Sequence, residues 1–295
     1  MTDSKDRWVS LYDYDESMHS MEIWSNYTKT IINKGHQLIN KICNKKYIEH
    51  NNSTLKILDI GCGDTDLYMH FDEIVSEYIG IEPIKREILK AQKDSKKYLI
   101  RGTAEKLPLN DNCVDIALHI STLDHCYDAK KAMNEFIRVL KIGGIGIILL
   151  ENRERLSNTI RKIIRMEVSH GEEHFYYFNI GDIEELIPEN AIIKYKNSYG
   201  FLLGFNWISK FIPIKIIQIL SSIADNLIGR IYSNRGQHFL IVIEKVSSSN
   251  PDNKIKVLCP QCGSLCEKKP NSCGNCNYQF SWINNDVLDY IPEIP

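Results

Sequence analysis

No stretch of this chain approaches the ~18 uncharged residues that crossing a bilayer requires. Even the most apolar segment is interrupted by Lys210, Lys215 and Asp225. Neither sign of charge prevails: 36 basic and 38 acidic residues are interspersed and leave a formal charge of −2, so a broad nucleic-acid surface is not favoured. The opening Met1-Thr2-Asp3-Ser4-Lys5-Asp6 has neither the basic start nor the apolar core of a secretory signal. Internal repeats and extended low-complexity tracts are absent as well. Nine cysteines, an odd number, do not make a disulfide framework. Clustered thiols fit a reducing compartment, where they serve metals, and a cytoplasmic location is expected.

What is present is ample for a large core: 43% of the 295 residues are hydrophobic, enough for two domains or for one large domain with an appendage. Residues 1–53 carry Trp24, Tyr27, Ile31, Leu38, Ile39 and Ile42 at helical spacing and predict a helical N-terminal layer, placed as a lid. From Lys56 short β-rich runs alternate with helical ones. Strands are expected at 56–60, 77–82, 98–101, 114–120 and 145–151, with helices near 66–75, 84–96 and 129–140 and a turn at Gly143-Gly144. Such alternation predicts an α/β fold, a mostly parallel sheet with helices on both faces. Two late strands, Ile192–Tyr199 and His238–Val246, flank a strongly apolar helical stripe that begins just after Pro213. That stripe reads as a helix packed over the sheet, or as the wall of an apolar pocket or a membrane-surface contact. Residues 247–253, Ser247-Ser248-Ser249-Asn250-Pro251-Asp252-Asn253, have the composition of a linker between a domain at 1–246 and a small one at 254–295.

Chemistry begins where the first strand ends, in Leu58-Asp59-Ile60-Gly61-Cys62-Gly63. Glycines there let backbone amides approach a ligand closely. A dinucleotide fingerprint would place a third glycine at position 66, where Asp66 stands. The next strand closes on Gly80-Ile81-Glu82-Pro83, putting an acid at the sheet's carboxyl edge to accept hydrogen bonds from a ribose diol. Adenosine without a pyrophosphate fits this layout.

Those two motifs are followed in order by Gly102-Thr103-Ala104-Glu105-Lys106-Leu107-Pro108, Val114-Asp115-Ile116-Ala117 with Leu123-Asp124-His125, and Glu135 to Gly144. Together the five resemble the class I S-adenosylmethionine-dependent methyltransferases, in particular the group related to ubiquinone and menaquinone methyltransferases. The resemblance covers residues 55–152 firmly and 170–246 loosely, and it implies a Rossmann-like domain with a mostly parallel seven-stranded sheet. It further implies that Asp59, Gly61 and Gly63 form the loop against the methionine part of the cofactor and that Glu82 holds its ribose. Ala104 and Glu105 would border the adenine, and His119 would line the methionine end through backbone atoms. The sequence departs from the family at Thr65, where many relatives have a third glycine, and at Ile142, where proline is commoner.

Methyl transfer in such enzymes rests on alignment, and positioning of this kind supplies ~7–11 kcal/mol of barrier lowering. A base helps when the acceptor is a hydroxyl or a protonated amine, and histidine suits that task. The candidates are His125, after the fourth strand, and His174, in Ser169-His170-Gly171-Glu172-Glu173-His174-Phe175. A packing role for His125 stands beside the catalytic one. Tyr12 and Tyr14 could close over the cofactor, or pack on the sheet edge.

The C-terminal segment holds Cys259-x-x-Cys262 and Cys273-x-x-Cys276. Each pair presents two thiolates to one ion, so the four residues complete a tetrahedral structural Zn²⁺ site with no open position for hydrolysis. Pro260, Gly263 and Gly274 suit the knuckle turns, and Cys266 is left over. The segment resembles the zinc ribbon related to the Trm112 activator of methyltransferases. That resemblance implies a built-in stabiliser, or a docking piece for a protein partner. The expected activity is methyl transfer to a small-molecule acceptor such as a sugar, a natural product or a peptide-derived intermediate. RNA or protein methylation, or a catalytically silent adaptor with the same fold, are the alternatives.

Overall fold

The computed structural model describes residues 26–91, 94–163, 175–202, 211–247 and 255–290. Tyr12, Tyr14, His170, His174 and most of the expected linker lie outside them. The first described element, α1 (Asn26–Glu49), buries Tyr27, Ile31, Ile39 and Cys43 on one face. The spacing of these residues is that of a single apolar stripe.

The seven strands expected from the sequence are β1 (Leu55–Ile60), β2 (Val75–Ile81), β3 (Lys97–Arg101), β4 (Val114–Ile120), β5 (Leu140–Glu151), β6 (Ala191–Tyr199) and β7 (His238–Lys245). They pair in the order β3-β2-β1-β4-β5-β7-β6. Neighbours among β1 to β5 run parallel, while β7 is antiparallel to both β5 and β6. Strands β1 and β4 are buried along most of their length, as expected for central strands covered on both faces. One face packs on α3 (Ala129–Val139) and α5 (Ile180–Leu186), with Met133, Phe136, Ile137 and Ile183 in its core. The other packs on α1 and on α6 (Ile214–Ile231), through Ile31, Ile39 and Ile217.

Several boundaries differ from the sequence expectation. The helix expected near 66–75 is a single 3-10 turn, Asp66–His70. The chain has to straighten at once, because the Leu55 N–H bonds to the Ile74 carbonyl at 2.8 Å as β2 begins. The helix expected at 84–96 shrinks to α2 (Lys85–Lys90), since Ala91 turns to an extended ψ of 129°. At Gly143-Gly144 the chain does not turn out of the sheet. Gly143 adopts φ +73° and β5 continues through it from Leu140 to Glu151. The remaining helix, α4 (Leu156–Ile163), follows β5.

The C-terminal segment contributes β8 (Val257–Leu258), β9 (Leu265–Cys266), β10 (Ser281–Ile283) and β11 (Val287–Asp289). While β8 and β9 form their own small ladder, β10 and β11 join the main sheet and lengthen it from seven strands to nine. Strand β11 lies parallel to β3, with Val287 opposite Leu99, Leu288 opposite Ile100 and Asp289 opposite Arg101. Without it β3 would present an open edge of unpaired backbone groups. Leu288 is fully buried, so this contact is part of the core.

Candidate cofactor cleft and metal centre

The ends of β1, β2, β3 and β4 open onto one partly open cleft. Gly61, Pro83, Ala104, Glu105, Thr122 and His125 are among its walls. The sequence therefore brought Gly61, Ala104, Glu105 and His125 to one place.

Two glycines shape the turn after β1. Gly61 has φ +74°, and a Cβ there would lie 2.4 Å from the Thr122 methyl group. Both its conformation and the close approach of the β4 loop exclude a side chain. Gly63, at φ +50°, faces open space on its Cβ side. Its N–H donates to Glu82 Oε2 at 3.1 Å, and the Ile84 N–H donates to Glu82 Oε1 at 2.8 Å. Glu82 thereby ties the β1 and β2 loops together while keeping further lone pairs for a diol. Burial pushes its carboxyl up to about 7, and the two backbone amides pull it back.

Thr65 occupies the position where a third glycine was anticipated, and it adopts that backbone: φ is +68°. A β-branched residue in the left-handed region is strained by ~1–2 kcal/mol. Its hydroxyl accepts a hydrogen bond from Lys97 Nζ at 2.9 Å, which offsets part of that strain.

Asp59 lies beneath the loop. The Tyr78 hydroxyl donates to it at 2.6 Å, and burial raises its carboxyl to about 6. Glu105 accepts from the Tyr127 N–H at 2.8 Å and so holds the 126–128 loop against the cleft; burial raises its carboxyl too. His119 behaves differently. Its ring is fully buried against Phe136, centroids 5.0 Å apart, and burial lowers its pKa to about 3. Neither ring nitrogen has a partner among the described residues. A neutral imidazole in the core leaves this residue only backbone atoms to offer a ligand. His174 lies outside the described residues, although the next amide, that of Phe175, bonds to the Asp124 carbonyl at 2.9 Å beside His125.

Sequence reasoning missed Thr122, which lines the cleft and dictates Gly61, and it missed Arg101. Arg101 Nη1 pairs with Asp289 at 3.2 Å while its Nε donates to the Pro83 carbonyl at 3.2 Å. One guanidinium thus connects the last strand of the C-terminal segment to the residue following Glu82.

The four cysteine sulfurs all lie within 4.8 Å of one another. Cys259 and Cys276 are 3.5 Å apart, Cys262 and Cys273 3.6 Å. A tetrahedron of thiolates with Zn–S bonds near 2.3 Å has edges of about 3.8 Å, so the set suits one zinc ion. The knuckles are alike: the Gly263 N–H bonds to the Cys259 carbonyl and the Asn277 N–H to the Cys273 carbonyl, both at 2.9 Å. Gly263 and Asn277 each have positive φ, +70° and +59°. The second knuckle turns on Asn277, whereas Gly274 was expected to supply it. Cys266 is outside the set of four but lies against it, its Sγ on the Ser264 carbonyl and beside the Cys273 thiol.

Seven strands in this order, with only β7 reversed, make the Rossmann-like fold of class I S-adenosylmethionine-dependent methyltransferases. Residues 58–148 match the family described as a methyltransferase domain. An uncharacterized methyltransferase of Schizosaccharomyces pombe is 33% identical over 116 residues, which is 35% of this chain and 42% of that protein. One of Mycobacterium tuberculosis is 34% identical over 104 residues, 34% of this chain and 42% of the relative. The chain therefore spans about two fifths of the length of these curated relatives. Among solved structures, the complex between the Haloferax volcanii Trm112 methyltransferase activator and a methyltransferase is similar at 13% identity. It covers 67% of this chain and 85% of that one, with a TM-score of 0.48. YcgJ of Bacillus subtilis is similar at 20% identity, covering 66% and 94%, with a TM-score of 0.45.

Proposed function

We propose that this chain transfers a methyl group from S-adenosylmethionine to a small-molecule acceptor, within the group related to ubiquinone and menaquinone methyltransferases. The observation that carries the reading is Glu82, a buried carboxylate at the end of β2 that ties the Gly63 loop to Ile84 beside the cleft at the strand ends. The cofactor, when bound, supplies a methyl group already activated by sulfonium. In this reading Glu82 holds the ribose, Ala104 and Glu105 border the adenine, and Asp59, Gly61, Gly63 and the His119 backbone shape the methionine end. His125 and His174 are the candidates for taking a proton from the acceptor. His125 is supported by its place on the cleft wall.

The Cys259, Cys262, Cys273 and Cys276 site takes a structural Zn²⁺ in a Trm112-like ribbon at residues 254–295. We read that ribbon as a stabiliser in cis, because it occupies the β3 edge of its own sheet. Calorimetric titration of reduced, cofactor-stripped protein with S-adenosylmethionine and its demethylated product tests the proposal, with zinc measured on the same sample. Binding of both ligands, followed by label transfer from the methyl group to an acceptor in a metabolite extract, is expected. Folded, zinc-loaded protein that binds neither ligand would leave a silent adaptor as the better reading.

A further inference from the structure

Helix α6 buries only Ile217, Ser221 and Ala224. A quarter-turn around the same helix, Ile216, Ile219, Leu220, Ile223, Leu227 and Ile231 are exposed, by 42% to 75%. Their spacing of three and four residues aligns them in one stripe along the helix. Phe211, just before the helix, is 84% exposed. Soluble chains scatter exposed apolar residues singly, and a continuous stripe of large aliphatic ones marks a contact surface.

Charge on this helix is one-sided. Lys215 and Arg230, near its two ends, are exposed. Its single acid, Asp225, is turned inward: it pairs with Lys34 of α1 and accepts the Gly200 and Phe201 N–H groups at 2.9 Å each. The exposed surface of α6 is therefore apolar and cationic, on a chain whose overall charge is slightly negative.

We infer that this face of α6 docks on an anionic lipid bilayer, lying in the headgroup plane with the stripe immersed and Lys215 and Arg230 on lipid phosphates. A second copy of the chain is a poorer occupant. Antiparallel pairing of two α6 helices would set Lys215 against Arg230, parallel pairing would set each against itself, and α6 presents no outward acid to relieve either arrangement. The contact is peripheral, since none of the described helices is long and apolar enough to cross a membrane. The face also sits at a useful edge. Tyr199 and His238, between which the α6 segment leaves and rejoins the sheet, pair with each other beside Glu151 at the carboxyl end of β5. That is the edge onto which the cleft opens.

Vesicle co-sedimentation of the full chain tests this without recourse to catalysis, so its failure is separate from failure of the methyl-transfer reading. The probes are vesicles of phosphatidylcholine alone and of phosphatidylcholine with 30% phosphatidylglycerol, taken as about the anionic content needed for a strong surface potential. Wild-type protein is expected to sediment with the anionic vesicles and to remain largely free with the neutral ones. Ile219→Glu with Ile223→Glu, both at exposed positions, is expected to weaken binding at least tenfold, by roughly the penalty of burying charge in an apolar layer. Lys215→Ala with Arg230→Ala is expected to weaken it about 25-fold, fivefold per cation. Wild-type protein that stays in the supernatant with both vesicle types overturns the inference. So does binding unaffected by either double variant. A dimer in sedimentation velocity that Ile219→Glu with Ile223→Glu converts to monomer would assign the face to a second copy instead.

Discussion

Replacing Glu82 with glutamine removes one charge and little volume from the junction of the β1 and β2 loops, and the consequences can be worked through from its surroundings. The wild-type carboxyl titrates near 7 in the folded protein against 4.5 in an unfolded chain. Below about pH 4.5 both states are protonated and the group contributes nothing to stability. Between 4.5 and 7 the unfolded chain ionises first, so stability falls as pH rises, by about 3 kcal/mol in all once both are charged. Asp59, raised to about 6, acts in the same direction over a narrower window. Ribose hydroxyls donating to Glu82 favour its ionised form, and cofactor binding below pH 7 then expels a proton. Affinity for S-adenosylmethionine should therefore weaken as pH falls through 7, by up to tenfold per unit. The glutamine variant should bind roughly 10- to 150-fold more weakly than wild type at pH 8, from ~1.5–3 kcal/mol for charge-assisted hydrogen bonds. Its residual affinity should be flat with pH. Calorimetry at pH 6, 7 and 8, repeated in two buffers of different ionisation heat, reads affinity and proton release together. Equal affinities for variant and wild type at pH 8, or a wild-type affinity indifferent to pH, would refute the ribose role.

Three further outcomes are expected. Cys259→Ser should release zinc and raise amide exchange at β10, β11 and Arg101 while β1, β4 and β5 stay protected; full zinc retention by metal analysis would contradict the ligand assignment. At position 65, glycine relieves the left-handed strain that alanine keeps, and both lose the Lys97 contact. Thr65→Gly should thus be more stable than Thr65→Ala by about 1 kcal/mol in urea unfolding, and an alanine variant at least as stable as the glycine one would disprove the strain. Arg138 pairs with Glu135 and Asp111 and donates to the Leu107 and Leu109 carbonyls. Arg138→Met should cost about 3 kcal/mol, and a melting temperature equal to wild type would show that this brace is dispensable.

The parts of the fold legible in the sequence were those governed by local periodicity and by turn chemistry. Strand β4 was legible at 114–120 because Val114-Asp115-Ile116-Ala117 opens a short β-rich run, and the structure buries it from Val114 through His119. Gly61, Gly63 and Glu82 could be assigned to one edge because strand ends in a parallel sheet gather there, and the Gly63 N–H does meet Glu82 Oε2. The cysteine quartet was legible because ligand spacing is a short-range property, and its sulfurs do converge. What could not be read depends on pairing at long range. Nothing local in Val287-Leu288-Asp289 says that it will lie against Leu99-Ile100-Arg101. The apolar pattern of α6 fixed a helix, yet the stripe of Ile217, Ser221 and Ala224 that faces the protein is less apolar than the one that does not. Helix length was misjudged after β1 and β2 because propensity gave way to the need to start the next strand.

Strand β11 carries a consequence for how the molecule is made. Arg101 and Asp289, partners across the β3 edge, are 188 residues apart in the chain. On the ribosome β3 emerges early and its outer edge must wait, open to any passing strand, until Val287–Asp289 has been synthesised and has folded onto it. Were the proposed zinc site to stay empty, the nascent protein would carry an uncapped sheet edge, prone to aggregation and visible to chaperones, before a single turnover had been attempted.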